Sequence, residues 1–178
     1  MLSRSITCTC GAVELTLTGE PFMVNICHCD DCQRASAELE QLPGAKKILD
    51  GFGGTAYALY RKDRVLVTKG QDQLTDHRIE GEANTHRTVA LCCWTPLFLD
   101  FEPGHWVSIF QQRFTAPVPA AERRINTRFM PKGARPADGL PQAKGFPLVM
   151  ISKLLGTRIA MGKWKDGLDG KPRQNRKQ

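Results

Sequence analysis

Three cysteines fall within six residues, Cys27-His28-Cys29-Asp30-Asp31-Cys32, and this spacing constrains the chain more than any other feature. On an extended backbone Cys27 and Cys29 point to the same face, and Cys32 follows one turn later if a helix starts at Asp30 or Asp31. Three sulfurs then converge. A structural zinc site takes four protein ligands, whereas three leave a position for water or substrate, so a group of three points to chemistry. In the first helical turn, unpaired backbone N–H groups and the helix dipole favour thiolate over thiol. The competing reading, a disulfide switch formed by Cys29 and Cys32, sets two acidic residues between the sulfurs and leaves Cys27 without a role. His28 points the other way on an extended chain and is expected to pack or hydrogen-bond on the opposite face. Arg34 is placed either to neutralise thiolate charge or to lie in solvent.

The other four cysteines come as two pairs. Cys8 and Cys10 lie two apart at the end of a predicted strand, and Gly11 permits the turn that brings the chain back. Alone, this pair reads as two small residues buried at a strand end sooner than as metal ligands. Cys92 and Cys93 lie far along the chain, a separation suited to a site that pins the first strands to later ones. Adjacent strand residues face opposite sides, so these two grip one ion only if the backbone bends sharply there. Seven cysteines cannot all pair within one chain, and in a reducing compartment they read as metal ligands or redox groups, in a four-plus-three division. Clustered thiolates select zinc, with iron–sulfur ligation the chemical alternative.

The rest of the sequence is mainly β. Val13, Leu15 and Leu17 alternate with Glu14, Thr16 and Thr18, the pattern of a half-buried strand. Further strands are predicted over Ser3–Thr7, Phe22–Ile26, Thr55–Tyr60, Arg64–Thr68, Leu74–Ile79, Thr85–Leu91, Leu97–Phe101 and Trp106–Phe110, as in an antiparallel system. Between them Cys32, Ala35, Leu39 and Leu42 recur at helical steps, predicting a helix from Asp31 to Leu42 stopped by Pro43-Gly44. After Phe114 prolines punctuate a loop-rich stretch with a short helix predicted over Ala120–Arg128, and Pro147 opens an apolar run to Met161. Leu148, Ile151, Leu154 and Leu155 share a helical face there, expected to dock on the β core rather than lie on a membrane. The organisation expected is a zinc-binding β domain over residues 1–113 and, over 114–178, a Pro-rich segment, a C-terminal helix and a basic tail.

Hydrophobic residues make up 41% of the 178, enough for a core. No apolar run reaches signal-peptide or membrane-span length, so a cytoplasmic protein is expected. Part of the net charge of +7 lies beyond Met161, where Lys163, Lys165, Lys171, Arg173, Arg176 and Lys177 face only Asp166 and Asp169. That tail is read as disordered, and the charge as solvated rather than as a nucleic-acid or membrane surface.

Cys-x-Cys-Gly near the N-terminus, then Cys-His-Cys-x-x-Cys, then Cys93-Trp94-Thr95-Pro96-Leu97 after a run of strands resembles, in order and spacing, the glutathione-dependent formaldehyde-activating enzyme family, which includes centromere protein V. The resemblance implies a β-tent fold, with one structural zinc held by the first and late cysteine pairs and a second held by the triplet. It carries over to Cys8, Cys10 and Cys93 for the first ion and to Cys27, Cys29 and Cys32 for the second. The family's late motif is Cys-x-x-Cys-Gly; here Ala90 stands at its first cysteine and Trp94 at its glycine, so either Cys92 substitutes or nothing does. Ala45–Gly54 reads as an insertion, and the chain as a divergent branch.

Two functions of different class follow. In the first, the triplet is catalytic: zinc held by Cys27, Cys29 and Cys32 binds a thiol or thiol–aldehyde adduct and assists carbon–sulfur lyase chemistry. Glutathione is the thiol that the resemblance implies, with Arg34 or Lys46 as candidates for its carboxylates. In the second, both zinc ions are structural and the basic C-terminal region of a binding module contacts an acidic partner. The sequence leaves the oligomeric state open.

Overall fold

The computed structural model describes residues 2–80 and 83–162 and the backbone of Gln174–Asn175. In chain order the elements are β1 (Ser3–Thr7), β2 (Glu14–Thr18), β3 (Met23–Cys27), α1 (Asp30–Leu39), β4 (Thr55–Arg61), β5 (Val65–Lys69), β6 (Leu74–His77), β7 (Thr85–Ala90), β8 (Thr95–Phe101), β9 (Trp106–Phe110), β10 (Arg123–Ile125), α2 (Leu148–Met161) and β11 (Gln174–Asn175). They form a three-stranded sheet in the order β1-β2-β5 and an eight-stranded sheet in the order β10-β3-β4-β9-β8-β7-β6-β11. All pairings are antiparallel except β10 on β3 and β11 on β6. The mainly β, largely antiparallel class expected from the strand pattern is the one observed.

Strand parity divides the interior into two cores. Leu15 and Leu17 of the small sheet pack with Val24, Ala58, Tyr60, Val107 and Ile109 of the large one, so the first core joins the two sheets. Their strand neighbours Met23, Cys27, Tyr57, Leu59 and Phe110 face the opposite side of the large sheet, as side-chain alternation requires. There α1, the loop after it and α2 cover them, contributing Cys32, Leu39, Ile48 and Met150. A fully buried residue such as Leu39 contributes about 2 kcal/mol by leaving water. Cys8 belongs to the first core and the triplet to the second, so one sheet separates the two cysteine groups.

Two expectations after residue 113 are corrected. No helix spans Ala120–Arg128; Arg123, Arg124 and Ile125 instead pair with Asn25, Ile26 and Cys27. The open edge of β3 offers those residues backbone partners that no local pattern encodes. Helix α2 docks through Met150 and Met161 and through Lys153 to Glu122, but Leu148, Leu155 and Ile159 are exposed, so apolar side chains as well as charges face outward. The basic tail lies outside the described residues apart from the backbone of Gln174–Asn175. Among the described residues no helix is long and apolar enough to cross a membrane.

Candidate metal centres

The triplet is assembled by the passage from β3 into α1. Cys27 ends the strand, Cys29 is the extended N-cap (φ −62°, ψ 155°), and Cys32 lies in the first turn. The Cys32 N–H points to Cys29 Sγ at 3.4 Å, so a sulfur occupies the place that a Ser or Asp oxygen commonly takes at an N-cap. The three sulfurs lie within 4.8 Å of one another, Cys27 and Cys32 buried and Cys29 half-buried. Hydrogen bonds from the Cys29 and Cys32 thiols lower Cys27 to about 3 despite its burial. The hydrogen bonds to Cys27 raise Cys29 and Cys32 in turn, and the Cys27 charge adds to this. The arrangement thus holds one of the three sulfurs, Cys27, negative.

His28 faces away, as its position between Cys27 and Cys29 predicts. Its Nε2 lies 2.9 Å from Arg124 Nη1 and its Nδ1 lies 3.1 Å from the Phe52 carbonyl. A guanidinium only donates, so Nε2 accepts and Nδ1–H donates, the neutral tautomer. Burial first, then the Arg124 charge, holds His28 below its ordinary value. Arg124 also binds Asp50 at 2.7 Å and Asp138 at 2.8 Å. Asp50 Oδ1 accepts from the N–H groups of Phe52 and Gly54, which orders the end of the Ala45–Gly54 segment against the back of the triplet.

Of the two readings of Arg34 the structure shows the solvent-exposed one, at the surface 3.8 Å from Glu80, and Lys46 is exposed in the loop after α1. The side chains that touch the triplet were not among the expected ones: Asn126 Nδ2 lies 3.5 Å from Cys27 Sγ, and Tyr57 Oη 3.8 Å from Cys32 Sγ. Tyr57 was legible in part, since β4 parity sends it to the core shared with Cys27. Asn126 was not, because it arrives through β10.

The other four cysteines meet at the far side of the sheet. Gly11, at φ +73°, closes the turn after β1 and donates to the Cys8 carbonyl. Leu91–Trp94 forms the turn from β7 to β8, with Trp94 at φ +54°. That turn supplies the bend which adjacent cysteines need, and all four sulfurs fall within 4.8 Å of one another. Cys8–Cys10 is 3.6 Å, Cys8–Cys92 3.7 Å, Cys10–Cys92 3.3 Å and Cys92–Cys93 3.8 Å. Sulfurs placed tetrahedrally around zinc at its usual bond length are about 3.8 Å apart, so the donor set fits that ion. Cys93 is held down to about 6: its burial is outweighed by the Thr95 hydroxyl, 3.0 Å away, and by backbone N–H groups. Cys92 is pushed up, by burial and then by its sulfur neighbours. Ala90 is fully buried in the first core. The structure thus contains two cysteine groups that could hold metal ions, one of four sulfurs and one of three.

Among solved structures the chain is similar to a Rhodobacter sphaeroides protein, with 17% identity, a TM-score of 0.44, and coverage of 78% of this chain and 98% of that one. No functionally curated protein matches. A family model, glutathione-dependent formaldehyde-activating enzyme, matches residues 3–112, the stretch that carries all seven cysteines. The motif order, the convergence of the sulfurs into two groups and this match agree, and the chain belongs to the glutathione-dependent formaldehyde-activating enzyme family.

Proposed function

We propose that the protein handles a small thiol at the triplet, making or breaking a carbon–sulfur bond in a thiol–aldehyde adduct of the glutathione type. The observation that carries this reading is the unequal division of the cysteines: four sulfurs converge at one centre, while Cys27, Cys29 and Cys32 form a group of three. Zinc bound there would supply Lewis acidity and a seat for an external thiolate. Cys8, Cys10, Cys92 and Cys93 would hold the structural ion. In the forward direction the thiol sulfur adds to the aldehyde carbon and the thiol proton passes to the carbonyl oxygen; the lyase direction reverses both transfers. Asn126 and Tyr57 donate toward Cys27 and Cys32 and hold those two sulfurs in place. The family description, which names glutathione and formaldehyde, supports the substrate class.

Calorimetric titration with glutathione at two pH values, on wild type and Cys29→Ser, tests the reading. Wild type should bind, more tightly as pH rises toward the pKa of the added thiol, and Cys29→Ser should not. A wild type that binds no thiol gives way to a second reading, which the exposed Leu148, Leu155 and Ile159 of α2 favour: a metal-stabilised binding module whose C-terminal helix contacts a partner.

A further inference from the structure

Four cationic side chains are buried among the described residues: Lys62, Arg87, Arg113 and Arg124. Two have carboxylate partners, Lys62 with Asp100 at 2.9 Å and Arg124 with Asp50 and Asp138. Arg87 and Arg113 have none among the described residues. The Nε–H of each lacks a hydrogen-bond partner, and the bond seen for Arg87 runs from Nη2 to the Asp31 carbonyl at 3.2 Å. A buried guanidinium without a compensating charge is a large cost, so some anion should lie nearby.

Each arginine sits beside one cysteine group. Arg87 shares the face of β7 that carries Val89, and therefore faces the core containing Cys27 and Cys32. Asp31, whose carbonyl it binds, immediately precedes Cys32, and the Tyr57 hydroxyl feels both the Arg87 and the Cys32 charge. Arg113 ends the short turn Gln111–Arg113 after β9 and immediately precedes Phe114, which bridges Ile6 and packs against the first core, the one that holds Cys8 and Cys93. Burial lowers its pKa, and the charge that acts against that is Cys93. A divalent ion held by four thiolates leaves the centre doubly negative, and one held by three leaves it singly negative. We infer that Arg113 and Arg87 are the counter-charges of the four-cysteine and three-cysteine centres respectively, positioning residues that set how tightly each centre holds its ion. The assignment rests on the reading that both centres bind a divalent metal. It accounts for why these two cations, alone of the four, lack carboxylates: the thiolate centres supply the negative charge.

The test uses the full chain, zinc in competition with a chromophoric chelator, and cobalt as a spectroscopic probe. Wild type should bind two ions. Arg87→Met should weaken one by roughly 10–100-fold and leave the other unchanged, and Arg113→Met should do the converse. In a Cys29→Ser background, where only the four-cysteine centre remains, Arg113→Met should retain its effect and Arg87→Met should lose it. The sulfur-to-cobalt charge-transfer band of the affected centre should move to lower energy, because removing a nearby cation raises the energy of the thiolate electrons. Arg→Lys at either position should recover most of the affinity and restore the band. Met variants with wild-type affinity and an unmoved band would overturn the assignment, as would Lys variants that fail as badly as Met, since shape rather than charge would then be the requirement. If a Met variant does not fold, the neutral Arg→Gln variant set against Arg→Lys decides by the same criteria. A wild type that takes up no divalent ion would overturn the metal reading itself, and shows this without any arginine variant.

Discussion

Asn126 performs two tasks at one Cα: its backbone adopts φ +56° at the end of β10, and its side chain donates to Cys27 Sγ. Asparagine tolerates the left-handed region better than most residues, so substitutions can separate the tasks. Asn126→Ala should lose both and Asn126→Gly only the side-chain contact, so the glycine variant should be about 1 kcal/mol more stable in denaturant unfolding. Equal stabilities would show that the backbone relaxes. The Asp50 carboxylate offers a pH test. Burial works against its charge, but Arg124 and the N–H groups of Gly54 and Phe52 prevail and hold it below the ordinary carboxylate value. Its folded pKa being depressed, the contribution is full above the unfolded value and vanishes as pH falls through the folded one. Wild type should therefore lose stability relative to Asp50→Asn on acidification below the usual carboxylate range, and parallel pH profiles would remove Asp50 as a stabilising charge.

At the scale of elements, the Ala45–Gly54 segment is fixed at several points: Glu40 accepts from the Ile48 and Leu49 N–H groups, and Ile48 is buried in the second core. Gly54 marks where this segment meets the strand that leads to the triplet. A Cβ there would lie 2.5 Å from Ile26 Cγ2, 2.7 Å from His28 Cε1 and 2.9 Å from Asp50 Oδ2. Gly54→Ala should cost about 1–3 kcal/mol through overpacking, measurable as a lower melting temperature. Gly51→Ala, where an added Cβ meets nothing within 4 Å, serves as its control. The β7–β8 turn makes a comparable point, since the bend at Trp94 lets Cys92 and Cys93 join one group. Cys92→Ser and Cys93→Ser should each reduce metal content by one ion, and a full complement in either variant would exclude that cysteine as a ligand.

For the whole molecule, the two centres differ in what they join. Cys8 and Cys92 are 84 residues apart, whereas the triplet spans five. Loop-closure entropy then makes the four-cysteine site worth about 2.5 kcal/mol more to the fold than the triplet. Cys8→Ser should accordingly lower the melting temperature well beyond Cys29→Ser, and equal losses would contradict a mainly structural role for the first centre. The two cysteine groups, the helix after the triplet and the outward turn of His28 were legible in the sequence, because alternation along a strand and the first turn of a helix are local geometry. So was the mainly β class, from short runs of β-branched and aromatic residues. Only the tertiary structure decided that Arg123–Ile125 forms a strand, that Asn126 reaches Cys27 and that Arg87 and Arg113 are buried without carboxylate partners among the described residues. Those contacts join residues far apart in sequence, and their energies exist only once the sheet edge and the two cores have formed, so no periodicity in the chain announces them.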